Sequence, residues 1–359
     1  MTRFLLAGGG TAGHVNPLLA TADEIRSRRA DDEVLVLGTA EGLEARLVPL
    51  RGYELSVIPR LPFPRRPNAA ALRFPSAFRA TVDGIVATIR DRGIEAVVGF
   101  GGYAAAPAYL AARRARIPFV VHEANARPGL ANRLGARTTP WVGVAFDGTP
   151  LRHARTVGMP LRREIARLDR AAVREEAVRA LGLDPSRPTL LVTGGSLGAR
   201  RINATVHAAV ADIVATGFQV LHITGDRAEI TDPGVEGYHL LSYCDRMDLA
   251  LSAADVAVSR AGAATVSELS ALGLPAVYVP YPVGNGEQRF NARGVVEAGG
   301  ALLVDDAAFV PEWVRNSLVP LLEDTPRREE MGRRAASVGV RDGSERLVDL
   351  IELALRSPR

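Results

Sequence analysis

The sequence has no lysine, so all 44 of its basic residues are arginines. A nucleotide-binding P-loop, a protein kinase and an enzyme that forms a Schiff base each need a lysine amine, so all three classes are excluded. The arginines alternate with 40 acidic residues along most of the chain, which leaves a net charge of +4. Nucleic-acid-binding proteins concentrate basic residues in a patch, so we expect no nucleic acid as a partner.

Other chemistry-bearing features are missing as well. Cys244 is the only cysteine, which excludes an internal disulfide and a cysteine-rich metal site. The chain contains no Asp-x-Asp motif. We therefore expect no metal site and no cofactor.

Long apolar runs are absent too, since none approaches the roughly 20 residues of a membrane span. The chain becomes glycine-rich directly after residue 7, too early for a signal peptide. We expect a cytoplasmic protein.

The sequence does contain short runs of Val, Leu, Ala and Ile separated by helical patterns. Such runs are typical of parallel strands buried on both faces. The predicted strands are residues 3–7, 33–37, 96–99, 118–122, 141–145, 189–193, 219–224, 255–259, 276–280 and 301–304. Alternation of strands and helices predicts doubly wound α/β sheets.

The pattern starts again in the middle of the chain, because residues 190–196 repeat the strand and glycine turn of residues 5–10. We predict two domains, 1–156 and 157–340, joined in the polar stretch 147–162. The last segment, 345–355, has apolar residues at helical spacing and needs a surface to cover.

Three strand-to-helix turns are rich in glycine: residues 8–13, 99–102 and 194–198. Such a turn brings the backbone close to a ligand, and the following helix N-terminus suits a phosphate. In the first turn, Asn16 is predicted to cap the helix and Pro17 to occupy its first position. The alternative is that these glycines only allow strand and helix to pack tightly.

The first turn also reads as G-x-G-x-x-G through Gly8, Gly10 and Gly13, which resembles a dinucleotide-binding turn. A dehydrogenase would carry an acidic residue at the end of the second strand. That strand ends instead at Gly38 and Thr39, so an NAD-dependent oxidoreductase is disfavoured. The turn carries a histidine, His14, that a dinucleotide loop does not require.

Several motifs in order resemble the MurG family of N-acetylglucosaminyltransferases over nearly the whole chain. They are residues 8–17 (GGGTAGHVNP), 99–103 (GFGGY), 122–132 (HEANARPGLAN), 194–203 (GGSLGARRIN), 259–268 (SRAGAATVSE) and 287–292 (EQRFNA). The chain departs from the family pattern at Ala124, Met159, Leu197 and Glu287, which puts individual donor contacts in doubt more than the reaction.

The resemblance implies a GT-B fold, in which two Rossmann-like domains border an interdomain cleft. The first domain would face the acceptor and the membrane, the second would bind the UDP-sugar, and the 345–355 helix would pack back on the first. The implied reaction is inverting transfer of N-acetylglucosamine from UDP-N-acetylglucosamine to the 4-hydroxyl of the muramyl sugar of lipid I, giving lipid II. The enzyme would work at the cytoplasmic face of the membrane as a peripheral protein.

His14 is the predicted catalytic base, because histidine accepts a proton near neutral pH and this one follows a glycine turn at the mouth of the first sheet. Two alternatives stay open: His14 caps a helix or binds the acceptor diphosphate, or His122 is the base. The other four histidines match no motif and are predicted to be structural.

The remaining site residues follow from the resemblance. Arg162 and Arg260 would add positive charge as UDP leaves, the Ser196 hydroxyl would hold the diphosphate, Glu268 would accept the ribose hydroxyls, and Cys244 would contact uracil through its backbone. The donor side comprises Thr11, Ala12, Gly13, Arg162, Ser196, Asn203, Cys244, Arg260, Ala263, Ala264, Thr265, Glu268, Glu287, Gln288 and Asn291. The acceptor side comprises Tyr103, His122, Glu123, Asn125 and Asn132.

An acceptor carried on a lipid is met at a bilayer, and one region of the sequence suits an anionic membrane surface. Between Leu55 and Val82 the chain has five arginines and no acidic residue. The arginines are Arg60, Arg65, Arg66, Arg73 and Arg79, with Phe63, Leu72, Phe74 and Phe78 among them. The alternative is that the phenylalanines belong to the core and the arginines to a solvated face.

Two further readings of function remain. Another GT-B transferase, acting on a lipid or natural product, would share the donor half but not residues 122–132. A nucleotide-sugar-binding subunit without catalysis would not need His14.

Overall fold

The computed structural model describes residues 1–63, 69–194, 199–225, 228, 230–283 and 285–357. The chain forms two compact units: unit 1 is Met1–Arg162 with Asp342–Arg359, and unit 2 is Arg163–Arg341. The predicted boundary lay six residues earlier. Residues 157–162 belong to unit 1, because Val157 is part of the same buried core as Leu347.

Unit 1 is built on a parallel sheet. Its strands are β1 (Arg3–Ala7), β2 (Glu33–Gly38), β3 (Glu54–Val57), β4 (Ala96–Gly99), β5 (Phe119–Glu123), β6 (Val142–Val144) and β7 (Ala154–Thr156). Its first helices are α1 (Ala12–Arg28), α2 (Glu44–Leu50), α3 (Ala69–Asp91), α4 (Gly102–Ala115) and α5 (Leu130–Gly135). The strand order is β3-β2-β1-β4-β5-β6-β7.

Adjacent residues of β1 enter opposite cores, as the alternation of side chains along a strand requires. Leu5 joins the core under α3 and α4, whereas Leu6 joins the core that contains Leu18 of α1. Both residues are fully buried, and β1 is apolar from Phe4 to Ala7. The sheet reverses its order between β1 and β4, and ligands of such sheets bind at the carboxyl ends of the strands at this point.

Unit 2 repeats the plan. Its strands are β8 (Thr189–Thr193), β9 (Gln219–Ile223), β10 (Tyr238–Leu241), β11 (Val256–Ser259), β12 (Ala276–Tyr278) and β13 (Ala301–Leu303). Its helices are α6 (Arg163–Ala166), α7 (Arg170–Ala180), α8 (Arg200–Ala208), α9 (Val210–Ala215), α10 (Met247–Ala253), α11 (Ala263–Ala271), α12 (Glu287–Glu297), α13 (Pro311–Trp313), α14 (Val319–Glu323) and α15 (Thr325–Val338), with a 3-10 turn at Asp306–Ala308 and a π-helical turn at Val314–Leu318. The strand order β10-β9-β8-β11-β12-β13 reverses between β8 and β11.

The last helix, α16 (Gly343–Arg356), belongs to unit 1. It buries Leu347, Leu350 and Ile351 in the core shared with α1. On its polar side, Arg28 of α1 pairs with Asp349 at 2.6 Å. The segment predicted at 345–355 therefore has its apolar face covered by unit 1. No described helix is both long and apolar enough to cross a bilayer.

Candidate active site

The first glycine turn connects β1 to α1 at the switch point of unit 1. Helix α1 begins at Ala12, with Thr11 as its N-cap residue. The predicted cap at Asn16 and helix start at Pro17 are wrong, because Pro17 lies inside the helix. The positive end of the helix dipole therefore lies at residues 11–13, beside His14 rather than beyond it.

His14 is held by the turn that precedes it. Its Nδ1 lies 3.1 Å from the carbonyl oxygen of Gly9 and 3.3 Å from the Thr11 hydroxyl. A carbonyl only accepts, so Nδ1 carries the proton and donates it, which leaves the lone pair on Nε2. At Gly101 a Cβ would lie 3.0 Å from Nε2, and Gly101 adopts φ +96°. The half-buried ring can accept a proton at Nε2 and needs a glycine opposite it.

Glu44, which sequence reasoning missed, anchors the same turn. It is fully buried, and its Oε2 accepts the Gly10 amide at 2.8 Å. Its Oε1 accepts the Thr39 amide and the Thr39 hydroxyl, each at 2.9 Å. Burial by itself raises the pKa of Glu44, but the hydrogen bonds from Gly10 and Thr39 outweigh burial and lower it.

One feature of the sequence could have pointed to Glu44. It is an acidic residue that follows the second strand closely, in the region where a dinucleotide-binding protein carries its ribose-binding acid. Its carboxylate faces the glycine turn and is fully buried, so it offers no surface to a ribose. Glu44 therefore does not serve as the ribose-binding acid of a dinucleotide site.

The second glycine turn lies beside the first. Gly102 has φ +75°, and a Cβ there would lie 2.5 Å from the carbonyl oxygen of Gly9. Tyr103, the next residue, is 37% exposed. The Arg60 guanidinium lies over its ring, 5.0 Å from the centroid. Unit 1 thereby brings His14 and Tyr103 to one edge of the sheet.

Three predicted acceptor residues are buried supports. His122 is fully buried, its Nε2 lies 3.1 Å from the Gly158 carbonyl, and burial lowers the pKa of its ring to about 4. The Asn132 amide donates to the His122 carbonyl at 2.9 Å and to Glu123 at 3.0 Å. The side chains of His122, Glu123 and Asn132 are all buried, and their contacts with the acceptor stay a prediction. Burial also leaves His122 without the access that a base requires.

Glu123 shapes the loop that follows β5. Its Oε1 accepts the Asn125 amide at 2.9 Å, and its Oε2 accepts the Gly129 amide at 2.9 Å. Asn125 itself is half-buried. Tyr103 and Asn125 are therefore the predicted acceptor residues that reach the surface of unit 1.

In unit 2 the third glycine turn includes Ser196, which lies outside the described residues. Asn203 on α8 is 2% exposed, donates to the Thr224 carbonyl at 3.0 Å and accepts from His222 Nε2 at 3.1 Å. Asn203 thereby ties α8 to the end of β9, and its predicted contact with the donor stays a prediction. His222, predicted to be structural, is part of that tie.

Arg260 follows β11 and is 7% exposed. Its Nη1 donates to Asp306 at 2.5 Å and to the carbonyl oxygens of Val279 and Pro280 at 3.1 and 3.3 Å. Asp306 also accepts from Arg201 at 3.2 Å. The Arg260 charge is thus paired with Asp306, and its predicted role as UDP leaves stays a prediction. Arg162, the other predicted cation, is half-buried and belongs to unit 1 rather than to the predicted second domain.

Helix α11 begins at Ala263 directly after this loop. Ala264, Thr265 and Glu268 are half-buried in its first two turns, whereas Ala263 is buried. Near them, α12 opens with Glu287, and Gln288 accepts the Tyr281 amide at 2.8 Å. Asn291 is 1% exposed and donates to the Ala261 carbonyl at 3.3 Å. Asn291 thus supports the loop before α11, and its predicted contact with the sugar stays a prediction.

The half-buried thiol of Cys244 lies in the loop between β10 and α10, and burial raises its pKa. Within the described part of the chain, no three His, Cys, Asp or Glu side chains are grouped so that they could hold a metal ion.

The comparisons with known proteins agree with this layout. The chain matches the glycosyltransferase family 28 N-terminal domain over residues 4–143 and the C-terminal domain of the same family over residues 189–347. It is 68% identical over 355 residues to the UDP-N-acetylglucosamine–N-acetylmuramyl-(pentapeptide) pyrophosphoryl-undecaprenol N-acetylglucosamine transferase of Leifsonia xyli subsp. xyli, with 99% of each chain covered. It is 52% identical over 355 residues to the protein of the same name from Streptomyces coelicolor, with 98% of each chain covered. Its fold matches the crystal structure of Acinetobacter baumannii MurG with a TM-score of 0.79 and 26% identity, over 98% of this chain and 100% of that one.

Proposed function

This chain belongs to the MurG family of glycosyltransferases, and we propose that it carries out that family's reaction. It transfers N-acetylglucosamine from UDP-N-acetylglucosamine to the 4-hydroxyl of the muramyl sugar of lipid I, with inversion, and so forms lipid II. The observation that carries this is the 68% identity over 99% of both chains. The chain thus acts in peptidoglycan synthesis, on which cell shape and division depend.

His14 is the proposed base. Its Nε2 takes the proton of the acceptor hydroxyl while that oxygen forms a bond to the sugar carbon and the bond to UDP breaks. The Nδ1–H bond to Gly9 supports this role, because it leaves Nε2 with the lone pair. Tyr103 and Asn125 are the proposed acceptor contacts, since they reach the surface of unit 1.

The donor is proposed to bind unit 2 at the start of α11. The half-buried Glu268 can accept both hydroxyls of a ribose, and Thr265 precedes it by one turn. The free amides at the N-terminus of α11, at Ala263 and Ala264, suit a diphosphate. Gln288 and Glu287 open α12 and are proposed to contact the sugar. On unit 1, Thr11, Ala12 and Gly13 at the N-terminus of α1 are also proposed as donor contacts.

We also propose peripheral attachment at the cytoplasmic face of the membrane, through an arginine–phenylalanine patch. In the described residues this patch comprises Arg60, Phe63, Leu72, Arg73, Phe74, Phe78 and Arg79; Arg65 and Arg66 lie outside them. Leu72 is 85% and Phe63 63% exposed, which supports the membrane reading for these two side chains, whereas Phe78 packs against the core of unit 1. The ring centroids of Phe63 and Phe74 are 5.6 Å apart, so the aromatic side chains form one cluster.

The patch continues into a cavity of about 380 Å³ between α3 and α4. Phe78, Val82 and Leu110 line it together with three arginines, Arg79, Arg113 and Arg114. Apolar walls with arginines suit an anionic lipid headgroup and the start of its chain. Each basic group near an anionic surface contributes about 1 kcal/mol, whereas exposed aromatic rings favour the interface.

The test of the reaction is to incubate the protein with UDP-N-acetylglucosamine and a lipid I analogue and to identify the disaccharide product. We expect disaccharide in amounts equal to the UDP released, and a rate of formation that is strongly reduced but still measurable with the His14→Ala variant. A positioned base contributes ~10²–10⁴-fold to kcat. Release of UDP without formation of the disaccharide would contradict the proposal that lipid I is the acceptor. Binding of UDP-N-acetylglucosamine without release of UDP would indicate a sugar-binding protein that does not catalyse the transfer.

A further inference from the structure

One peptide group joins a buried carboxylate to the proposed base. The peptide between Gly9 and Gly10 has its N–H bound to Glu44 Oε2, with nitrogen and oxygen 2.8 Å apart. Its C=O accepts the Nδ1 proton of His14 at 3.1 Å. The carboxylate and the imidazole therefore lie at opposite ends of one peptide dipole.

The surroundings are shaped to hold this arrangement. A Cβ at Gly9 or at Gly42 would lie 2.2 or 2.0 Å from a Glu44 carboxylate oxygen, so both positions need glycine. On the other side, Gly102 approaches the same peptide so closely that a Cβ would lie 2.5 Å from the Gly9 oxygen. The second carboxylate oxygen is occupied by Thr39. The peptide plane is thus enclosed on both sides and cannot turn without displacing Glu44.

We propose that Glu44 is a positioning residue for His14, acting through the Gly9–Gly10 peptide. This inference rests on the proposed role of His14 as the base. A negative charge at the N–H end of a peptide polarises it and increases the negative charge on its oxygen. The Gly9 oxygen then binds the Nδ1 proton more strongly, which keeps the lone pair on Nε2 and stabilises the imidazolium that forms when Nε2 takes a proton.

A buried aspartate does the same directly for the histidine of a Ser-His-Asp triad. In this chain a peptide transmits the effect. The lowered pKa of Glu44, in which hydrogen bonds from Gly10 and Thr39 outweigh burial, means that the carboxylate is ionised at neutral pH.

The test is a double-mutant cycle on the full-length protein with Glu44→Gln, His14→Ala and the combination. Glu44→Gln is expected to lower kcat about 10–100-fold, the size of the loss seen when a residue that orients a metal-binding histidine is removed. The KM for UDP-N-acetylglucosamine and the affinity for UDP are expected to stay unchanged. In the His14→Ala background, Glu44→Gln is expected to have no further effect, because Glu44 acts only through His14. Asp23→Asn, which removes a 30%-exposed carboxylate elsewhere in unit 1, is the matched control.

The outcomes separate this inference from the proposed function. Full activity of His14→Ala would overturn the base and this inference with it. A second outcome would overturn the positioning role alone. His14→Ala would lose most of its kcat, and Glu44→Gln would lower kcat by the same factor in the His14→Ala background as in the unmodified chain. If Glu44→Gln unfolds below the assay temperature, Glu44→Asp replaces it in the cycle, since it keeps the charge but moves it from Gly10. The inference is supported if the Glu44 substitution lowers kcat only when His14 is present. It is overturned if the substitution lowers kcat by the same factor with and without His14.

Discussion

Arg260 and Asp306 form an ion pair at 2.5 Å in unit 2, with side-chain exposures of 8% and 14%. The pair joins the loop after β11 to the turn after β13. Asp306 also pairs with Arg201 in the first turn of α8. One carboxylate thereby connects the loop after β11 to the first turn of α8.

Asp306→Ala is therefore expected to destabilise unit 2. Breaking a buried pair on one side leaves the other charge unpaired and costs about 3–5 kcal/mol. The measurement is the midpoint of thermal unfolding, with and without UDP. Asp305→Ala is the matched control, because its partner Arg289 and Asp305 itself are 53% and 66% exposed. An exposed pair contributes about 0–1 kcal/mol, so equal midpoints for the two variants would contradict the prediction.

Gly102→Ala is expected to lower kcat strongly. Its Cβ would meet the Gly9 oxygen at 2.5 Å and φ is +75°, so the turn that holds His14 must move. Displacement of a catalytic group by about 1 Å costs about 100-fold. Gly84→Ala on α3 is the control, since nothing lies within 4 Å of its Cβ. It is expected to keep kcat and to raise helix stability by up to about 1 kcal/mol. Normal turnover by Gly102→Ala would show that the turn tolerates the shift.

His222 makes the stability of unit 2 depend on pH. Burial lowers the pKa of its ring to about 4 from an unfolded value of 6.5. Between these values the unfolded chain binds a proton that the folded chain does not, so stability is complete above pH 6.5 and falls as pH approaches 4. By linkage the loss reaches about 3 kcal/mol.

A His222→Gln variant tests this dependence, because an amide can accept from Tyr238 and donate to Asn203 as the ring does without titrating. We expect its unfolding midpoint to fall less than that of the unmodified chain between pH 7 and pH 5. The control is His153→Asn, which replaces an exposed histidine. Its unfolding midpoint is expected to change with pH as that of the unmodified chain does. Parallel slopes for all three proteins would refute the assignment.

Membrane attachment is expected to depend on the position of the arginines and not on net charge alone. Replacing Arg65, Arg66, Arg73 and Arg79 by serine should weaken co-sedimentation with anionic vesicles, by about 1 kcal/mol for each arginine. The matched control replaces Arg293, Arg315, Arg333 and Arg334 of unit 2, whose side chains are 44–65% exposed. Raised salt should release the unmodified chain, because it screens exposed charges. An equal loss of vesicle binding in both variants would show that net charge alone determines the attachment.

The central strands could be read from the sequence nearly residue for residue, β1, β4 and β8 with their observed ends. The strands missed were β3, β7 and β10, and each lies at the edge of its sheet. An edge strand is partly exposed and short, so it lacks the continuous apolar run that identifies a strand buried on both faces.

The sequence by itself determined the two α/β units, the glycine turns at their switch points and the family, because apolar periodicity, glycine spacing and ordered motifs are local properties of the chain. It also led to His14. Only the tertiary structure decided which polar residues reach the surface and which are buried in bonds that hold the loops. Glu44 meets Gly10 across 34 residues and Asp306 meets Arg260 across 46. Burial and hydrogen-bond partners depend on segments that are distant in sequence, so a motif identified His122, Asn132 and Asn203 without revealing that each is enclosed in the protein.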